Sequence, residues 1–162
     1  MRRFFRTDSP PNENILLIRP ATLADIPSIM ALVAAAPTAA QWPREHYEQA
    51  IQSSHPRRIM LVLEDQIIEA FLVARAAADE WELENIAVAE NTRRRGLGSV
   101  ILNECLQMAR NEKRHAVFLE VRESNTAARL FYEKLAFEKA GRRRGYYASP
   151  NEDAIVYRLL LS

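Results

Sequence analysis

The sequence predicts an α/β domain of about seven strands and about four helices, and three observations predict it. A short apolar strand is followed by two amphipathic helices and then by three strand-like segments in a row. The third of those segments runs into a loop rich in arginine and glycine, which opens at once into a long apolar helix. The chain of 162 residues is 48% hydrophobic and 27% charged, a length and mixture that suit one globular domain with a sizeable core.

Taken in order, residues 1–13, with Pro10 and Pro11 near their end, read as a mobile arm ahead of a single domain spanning 14–162. Arg2, Arg3 and Arg6 in that arm read as solvated charge rather than as contacts to an acidic partner. Ile15 to Arg19 is a strand stopped by Pro20. Thr22 lies three residues before Asp25, the spacing of a capping box. Ile26, Ile29, Met30, Leu32 and Val33 then recur at helical period, so Thr22–Ala35 is a helix that Pro37 ends. A second helix, Pro43–Ser53, follows Trp42 and opens with proline at its favoured first position.

Arg57–Leu63 and Ile67–Ala76, joined by Glu64-Asp65-Gln66, form an antiparallel hairpin, and Glu80–Val88 is the next strand. Leu97, Val100, Ile101, Leu102, Cys105, Leu106, Met108 and Ala109 define the buried face of a long helix that ends near Lys113. Ala116–Val121 is a buried strand, and Ser124 or Asn125 caps a helix running to Leu135. Glu138–Arg144 and Ala154–Leu161 are the last two strands, around Gly145-Tyr146-Tyr147 and Ser149-Pro150-Asn151.

Composition narrows the function. A net charge of +1 argues against a general nucleic-acid binder, which is usually strongly basic. The single cysteine, Cys105, precludes an internal disulfide and points to a reducing cytoplasm, and its place on an apolar helix face reads as a packed thiol. One cysteine and three scattered histidines argue against a structural zinc site, so no metal is expected. No apolar run approaches the roughly 18 residues that span a membrane, and the N-terminus lacks the apolar centre of a signal peptide.

The loop between the strand at Glu80–Val88 and the long helix carries the chemistry. N–H groups at a helix N-terminus lack intrahelical partners and the helix dipole is positive there, so such a junction holds phosphate. Arg93-Arg94-Arg95-Gly96-Leu97-Gly98 fits neither the P-loop nor the dinucleotide fingerprint, which needs a third glycine. It does fit [QR]-x-x-G-x-[GA], and two of the four glycines in the chain are placed in it.

With that pattern at that place, the sequence resembles the GNAT superfamily of N-acetyltransferases, and within it the RimI-type ribosomal-protein N-terminal alanine acetyltransferases. The matching pieces are Asn85–Val88 (N-I-A-V), Arg93–Gly98, Leu119–Asn125 (L-E-V-R-E-S-N), Leu130–Phe137 (L-F-Y-E-K-L-A-F), Arg144-Gly145-Tyr146-Tyr147 and Glu152–Val156. They cover roughly 80–160 and little before it. The resemblance implies the GNAT fold, a mixed and mostly antiparallel sheet that splits to admit acetyl-CoA. It assigns the cofactor's pyrophosphate to the loop of Arg93, Arg94, Arg95, Gly96, Leu97, Gly98 and Ser99, its pantetheine to main-chain groups of Ile86, Ala87 and Val88, and another contact to Asn125. The acceptor is a protein N-terminus, plausibly of a ribosomal protein. Among the loop groups, backbone N–H donors are expected to matter more than any one guanidinium.

Acyl transfer to an amine needs a base for the amine and an acid for the departing thiolate. Glu120, in an otherwise apolar strand, is the candidate base, and by resemblance it acts through a water. The competing reading pairs it with an arginine such as Arg122. Tyr132 is the candidate acid, placed beside the CoA sulfur by resemblance, and otherwise a core tyrosine next to Phe131. Tyr146 and Tyr147 match the family's substrate-side hairpin, and Trp42 lies in the loop that usually forms the opposite wall; core packing competes for all three. Arg142, Arg143 and Arg144 read as solvated charge on an edge strand. The family usually has glycine where this chain has Ala136, so the helix end there either costs about 1 kcal/mol or changes its cap. Three other readings stay open: the same fold acting on a lysine or small amine, a CoA-binding regulatory module without catalysis, and an RNA- or ribosome-binding module using the arginine runs.

Overall fold

The computed structural model describes residues 2–6, 15–93 and 95–162, without the side chains of Phe5 and Arg6. Among the described residues eight strands form one sheet, in the order β1-β2-β3-β4-β5-β6-β8-β7. They are β1 (Arg3–Arg6), β2 (Ile15–Pro20), β3 (Arg58–Asp65), β4 (Ile67–Ala77), β5 (Glu80–Val88), β6 (Ala116–Arg122), β7 (Glu138–Ala148) and β8 (Asn151–Leu160). Every adjacent pair is antiparallel except β5 with β6.

The sheet therefore has one strand more than the seven predicted. Part of the expected arm is the extra edge strand: Arg3–Arg6 pairs with Ile18–Ile15, and Arg3 forms an ion pair with Glu104 instead of standing free in solvent. Residues 7–14, with Pro10 and Pro11, lie outside the described residues. The last hairpin also differs from expectation. Gly145, Tyr146 and Tyr147 belong to β7 itself, where a register shift between Arg143 and Tyr147 absorbs the left-handed Gly145 (φ 57°).

Four helices cover the sheet: α1 (Ile26–Ala34), α2 (Arg44–Gln52), α3 (Leu97–Asn111) and α4 (Thr126–Lys134). Pro43 stands one place earlier than expected, as the N-cap of α2. Side-chain alternation on the central strands sorts the core into two layers. Met60, Val62, Phe71 and Val73 pack under α1 and α2, while Leu61, Leu63, Ala70 and Leu72 pack under α3. Cys105 lies in the second layer, and burial pushes its thiol up to about 12, so it stays protonated as a packing group. Among the described residues no helix is long and apolar enough to cross a membrane.

Candidate active site

The site begins where the parallel pair, β5 with β6, comes apart. β5 and β6 share just two register pairs, Trp81 with Val117 and Glu82 with Phe118. Immediately afterwards β5 bulges: its pairing with β4 jumps from Leu83 opposite Ala74 to Asn85 opposite Val73, leaving Glu84 over. One inserted residue reverses which face each later side chain occupies. Trp81 and Leu83 face the α3 layer, whereas Ala87 lies in the α1/α2 layer and Ile86 and Val88 pack toward α3. Past the bulge, Leu83–Val88 on one side and Leu119–Arg122 on the other bound a cleft of about 690 Å³, a size typical of a small-molecule or cofactor site. The edge of β5 that faces the cleft has no strand beside it, so its main-chain groups are free to bind a ligand.

At one end the cleft reaches the start of α3. Gly96 is the N-cap with φ 74°, a left-handed conformation that glycine adopts without strain, and the first helical bond runs from the Val100 N–H to the Gly96 carbonyl. The N–H groups of Leu97, Gly98 and Ser99 precede that bond and have no intrahelical acceptor. A Cβ on Gly98 would touch Phe131 and Val88 at 3.4 Å, closing the cradle from behind.

The arginines of this loop are less available than their charge suggests. Arg93 donates to the carbonyls of Ala35 (3.2 Å) and Val88 (3.4 Å), bracing the loop against α1, while Arg95 pairs with Asp65 at 3.7 Å. Arg94 lies outside the described residues.

Farther along, α4 closes one side. Its N-cap Asn125 lines the cleft while its side chain accepts the Ala128 N–H at 3.2 Å, so cap and wall are the same residue. Tyr132 also lines the cleft, wedged between Phe131, Phe137 and Tyr157. Burial raises its phenol well above the ordinary value, with Tyr147 adding to the effect, so the hydroxyl keeps its proton. The helix is held on the sheet by Tyr157, which donates to Glu133 at 2.6 Å and accepts from Arg129 at 3.2 Å. Its end forms a Schellman motif: Phe137 N–H bonds the Tyr132 carbonyl and Ala136 N–H bonds the Glu133 carbonyl, with Ala136 at φ 67°. Alanine thus keeps the left-handed cap and its strain.

Glu120 lines the cleft from β6. Its partner is Arg143 of β7, with Nε 2.5 Å from Oε1, rather than Arg122. Arg122 instead pairs with Glu152 and lies 4.1 Å over the Tyr147 ring. Tyr146 lies beside Arg143, whose guanidinium is 5.6 Å from its ring, and the neighbouring Glu120 carboxylate, with burial, pushes its phenol up to about 12. Tyr147 is half-buried and lines the cleft beside it. The run 142–144 is therefore not merely solvated edge charge, since Arg142 also bonds Glu123 and Asp153.

Opposite stands the loop between α1 and α2. Trp42, predicted on this wall, is turned onto α2 instead: it stacks on His46 at 4.2 Å and lies 5.4 Å from Tyr47. The wall itself is made by residues 36–41, and Asn85, to which sequence reasoning gave no role, bonds it at Ala40. Among the described residues no group of three or more His, Cys, Asp or Glu is placed to hold a metal.

Comparison with known proteins agrees with this fold. The model of the acetyltransferase (GNAT) family matches residues 26–137. The chain is 40% identical over 100 residues to the [ribosomal protein bS18]-alanine N-acetyltransferase of Salmonella typhimurium, covering 60% of this chain and 68% of that one. It is 39% identical over 95 residues to the Escherichia coli K12 protein of the same name, covering 57% and 64%; the aligned stretch is thus just under two thirds of that relative. The crystal structure of an Escherichia coli ribosomal-protein-alanine N-acetyltransferase superposes with a TM-score of 0.78 at 30% identity, over 91% of this chain and 94% of that one.

Proposed function

Since the chain belongs to the acetyltransferase (GNAT) family, as a RimI-type member, we propose that it transfers acetyl from acetyl-CoA to a protein N-terminal α-amine, with a ribosomal protein as acceptor. One observation carries the reading: the cleft opened by the β5–β6 split is lined at once by the start of α3, by Glu120 and by Tyr132. The residues present fit the cofactor. Free N–H groups of Leu97, Gly98 and Ser99 suit a pyrophosphate, the unpaired edge of Ile86–Val88 suits the pantetheine amides, and Asn125 faces the same groove.

Bound acetyl-CoA supplies the activated thioester. Glu120 takes the proton of the incoming amine, directly or through a water. Tyr132, kept protonated by burial, donates its proton to the departing thiolate. Arg143 holds the Glu120 carboxylate, Tyr146 lies beside Arg143, and Tyr147 lines the cleft next to them. The division of labour suits an α-amine. Freeing one with a pKa near 7.8 costs about 1 kcal/mol at pH 7, against about 4.6 kcal/mol for lysine, so one modest base suffices.

The test is a peptide panel read by mass spectrometry: free N-termini, including that of the ribosomal protein named for the relatives, against N-terminally blocked peptides with an internal lysine. Acetyl appears on the free α-amine. Modification confined to lysine in the blocked peptides, or none in either set, would overturn the reading.

A further inference from the structure

The first part of the wall formed by residues 36–41 is tied locally: Ala36 N–H bonds the Val33 carbonyl and Ala39 N–H the Ala36 carbonyl, both at 2.9 Å, and Ala36 is buried in the α1/α2 layer. Pro37, Thr38 and Ala40 are exposed, and the segment belongs to no strand or helix. Its far end, at Ala40, is held from outside. The Asn85 amide accepts the Ala40 N–H at 3.3 Å through Oδ1 and donates to the Ala40 carbonyl at 2.8 Å through Nδ2. Asn85 is only 5% exposed. A side-chain amide that pairs with both main-chain groups of one residue does what a neighbouring strand would do. It also admits a single orientation of the amide. Aspartate has no donor for the carbonyl, and glutamine would move the wall by a methylene.

The β5 bulge makes this reach available. With unbroken alternation Asn85 would share a face with Trp81 and Leu83 and point toward α3; the extra Glu84 turns it to the α1/α2 side. Two further ties tighten the loop. Gln41 Nε2 folds back onto the carbonyls of Val33, Ala36 and Ala39 at 3.0, 3.2 and 3.2 Å, and Arg93 reaches Ala35 from the glycine loop.

We propose that Asn85 is a positioning residue for the acceptor: by serving Ala40 as a substitute strand partner, it sets the wall that receives the incoming peptide at a fixed distance from the strand that holds the cofactor. This inference rests on the acetyl-transfer reading above. Its consequence falls on acceptor binding rather than on the chemical step.

The test is steady-state kinetics with an N-terminal peptide, together with hydrogen exchange at residues 36–41 without substrate. Asn85→Ala raises the peptide KM about tenfold, the effect of losing about 1.4 kcal/mol of hydrogen bonding, while kcat and the acetyl-CoA KM stay within twofold. The Ala40 amide, slow to exchange in the wild type, becomes fast. In Asn85→Asp the introduced carboxyl regains a donor when protonated, so its kcat/KM relative to wild type recovers as pH falls, whereas the Asn85→Ala ratio stays flat. Gln41→Leu, at an exposed position, raises the peptide KM severalfold and keeps the test decisive should Asn85→Ala fold poorly. A peptide KM unchanged in both variants, or a kcat and acetyl-CoA KM that move with it, would overturn the proposal. A wild type inactive on every free N-terminus would overturn the acetyl-transfer reading instead, and Ala40 exchange would still decide whether the clamp exists.

Discussion

The two ends of the cleft are built by different means. At the cofactor end the ligand-facing groups are main chain: the start of α3 behind Gly96 and the open edge of β5. Their placement follows from a glycine, a helix start and a strand, all within about one turn of the residues concerned. At the acceptor end the work falls to side chains from distant parts of the chain. Arg143 and Tyr146 come to Glu120 across β8, and Asn85 comes to Ala40 across 45 residues. Under the proposed function, cofactor binding is expected to tolerate side-chain replacement, whereas acceptor binding and proton transfer are expected to depend on single side chains.

The largest effect expected is at the base. Glu120→Gln keeps the shape of the carboxylate but cannot take a proton, so kcat/KM falls about 10²-fold or more, while calorimetry finds acetyl-CoA affinity within about twofold of wild type. An equal loss of cofactor affinity would erase the distinction between the two ends. Next is Tyr132→Phe, which lowers kcat about 10- to 100-fold with cofactor affinity again retained. Burial raises this phenol, so its proton is lost only above the ordinary value near 10. Any alkaline fall of kcat/KM below pH 10 should therefore persist unmoved in Tyr132→Phe, and its disappearance would assign that limb to Tyr132 and contradict the burial.

Smaller is Ala136→Gly. The left-handed cap costs alanine about 1 kcal/mol, so glycine raises the thermal midpoint by about 3 °C, with kcat unchanged because the Phe137 to Tyr132 backbone bond is kept. Calorimetric melting checks it, and a lower midpoint would mean that the alanine methyl makes a compensating contact. The smallest is Trp42→Phe. The ring stacks on His46, outside the cleft, so the peptide KM changes less than about twofold. A tenfold rise would return Trp42 to the acceptor wall and redraw that end of the site.

Much of the molecule was legible in advance, for identifiable reasons. The four helices announce themselves through period and caps, and Asn125 was readable as a cap because its oxygen serves an N–H three residues on. The glycine loop was readable because the left-handed φ of Gly96 favours glycine. β1 was not, since Arg3–Arg6 is too short and charged for alternation to register, and it becomes a strand only by pairing with β2. Trp42 was left between the wall and core packing because sequence tells which loop holds a ring but not which neighbour it stacks on.

By itself the sequence determined the order of elements from β2 onward, the strand-glycine-helix junction and the two candidate proton-transfer residues, because each depends on local backbone propensity or on a pattern confined to a short stretch. Only the tertiary structure decided that β5 bulges at Glu84 and parts from β6 there, that Arg143 rather than Arg122 meets Glu120, and that Asn85 holds Ala40. A bulge changes facing by one residue without changing composition, and a contact between remote residues is set by how whole layers pack. Neither leaves a trace in local periodicity.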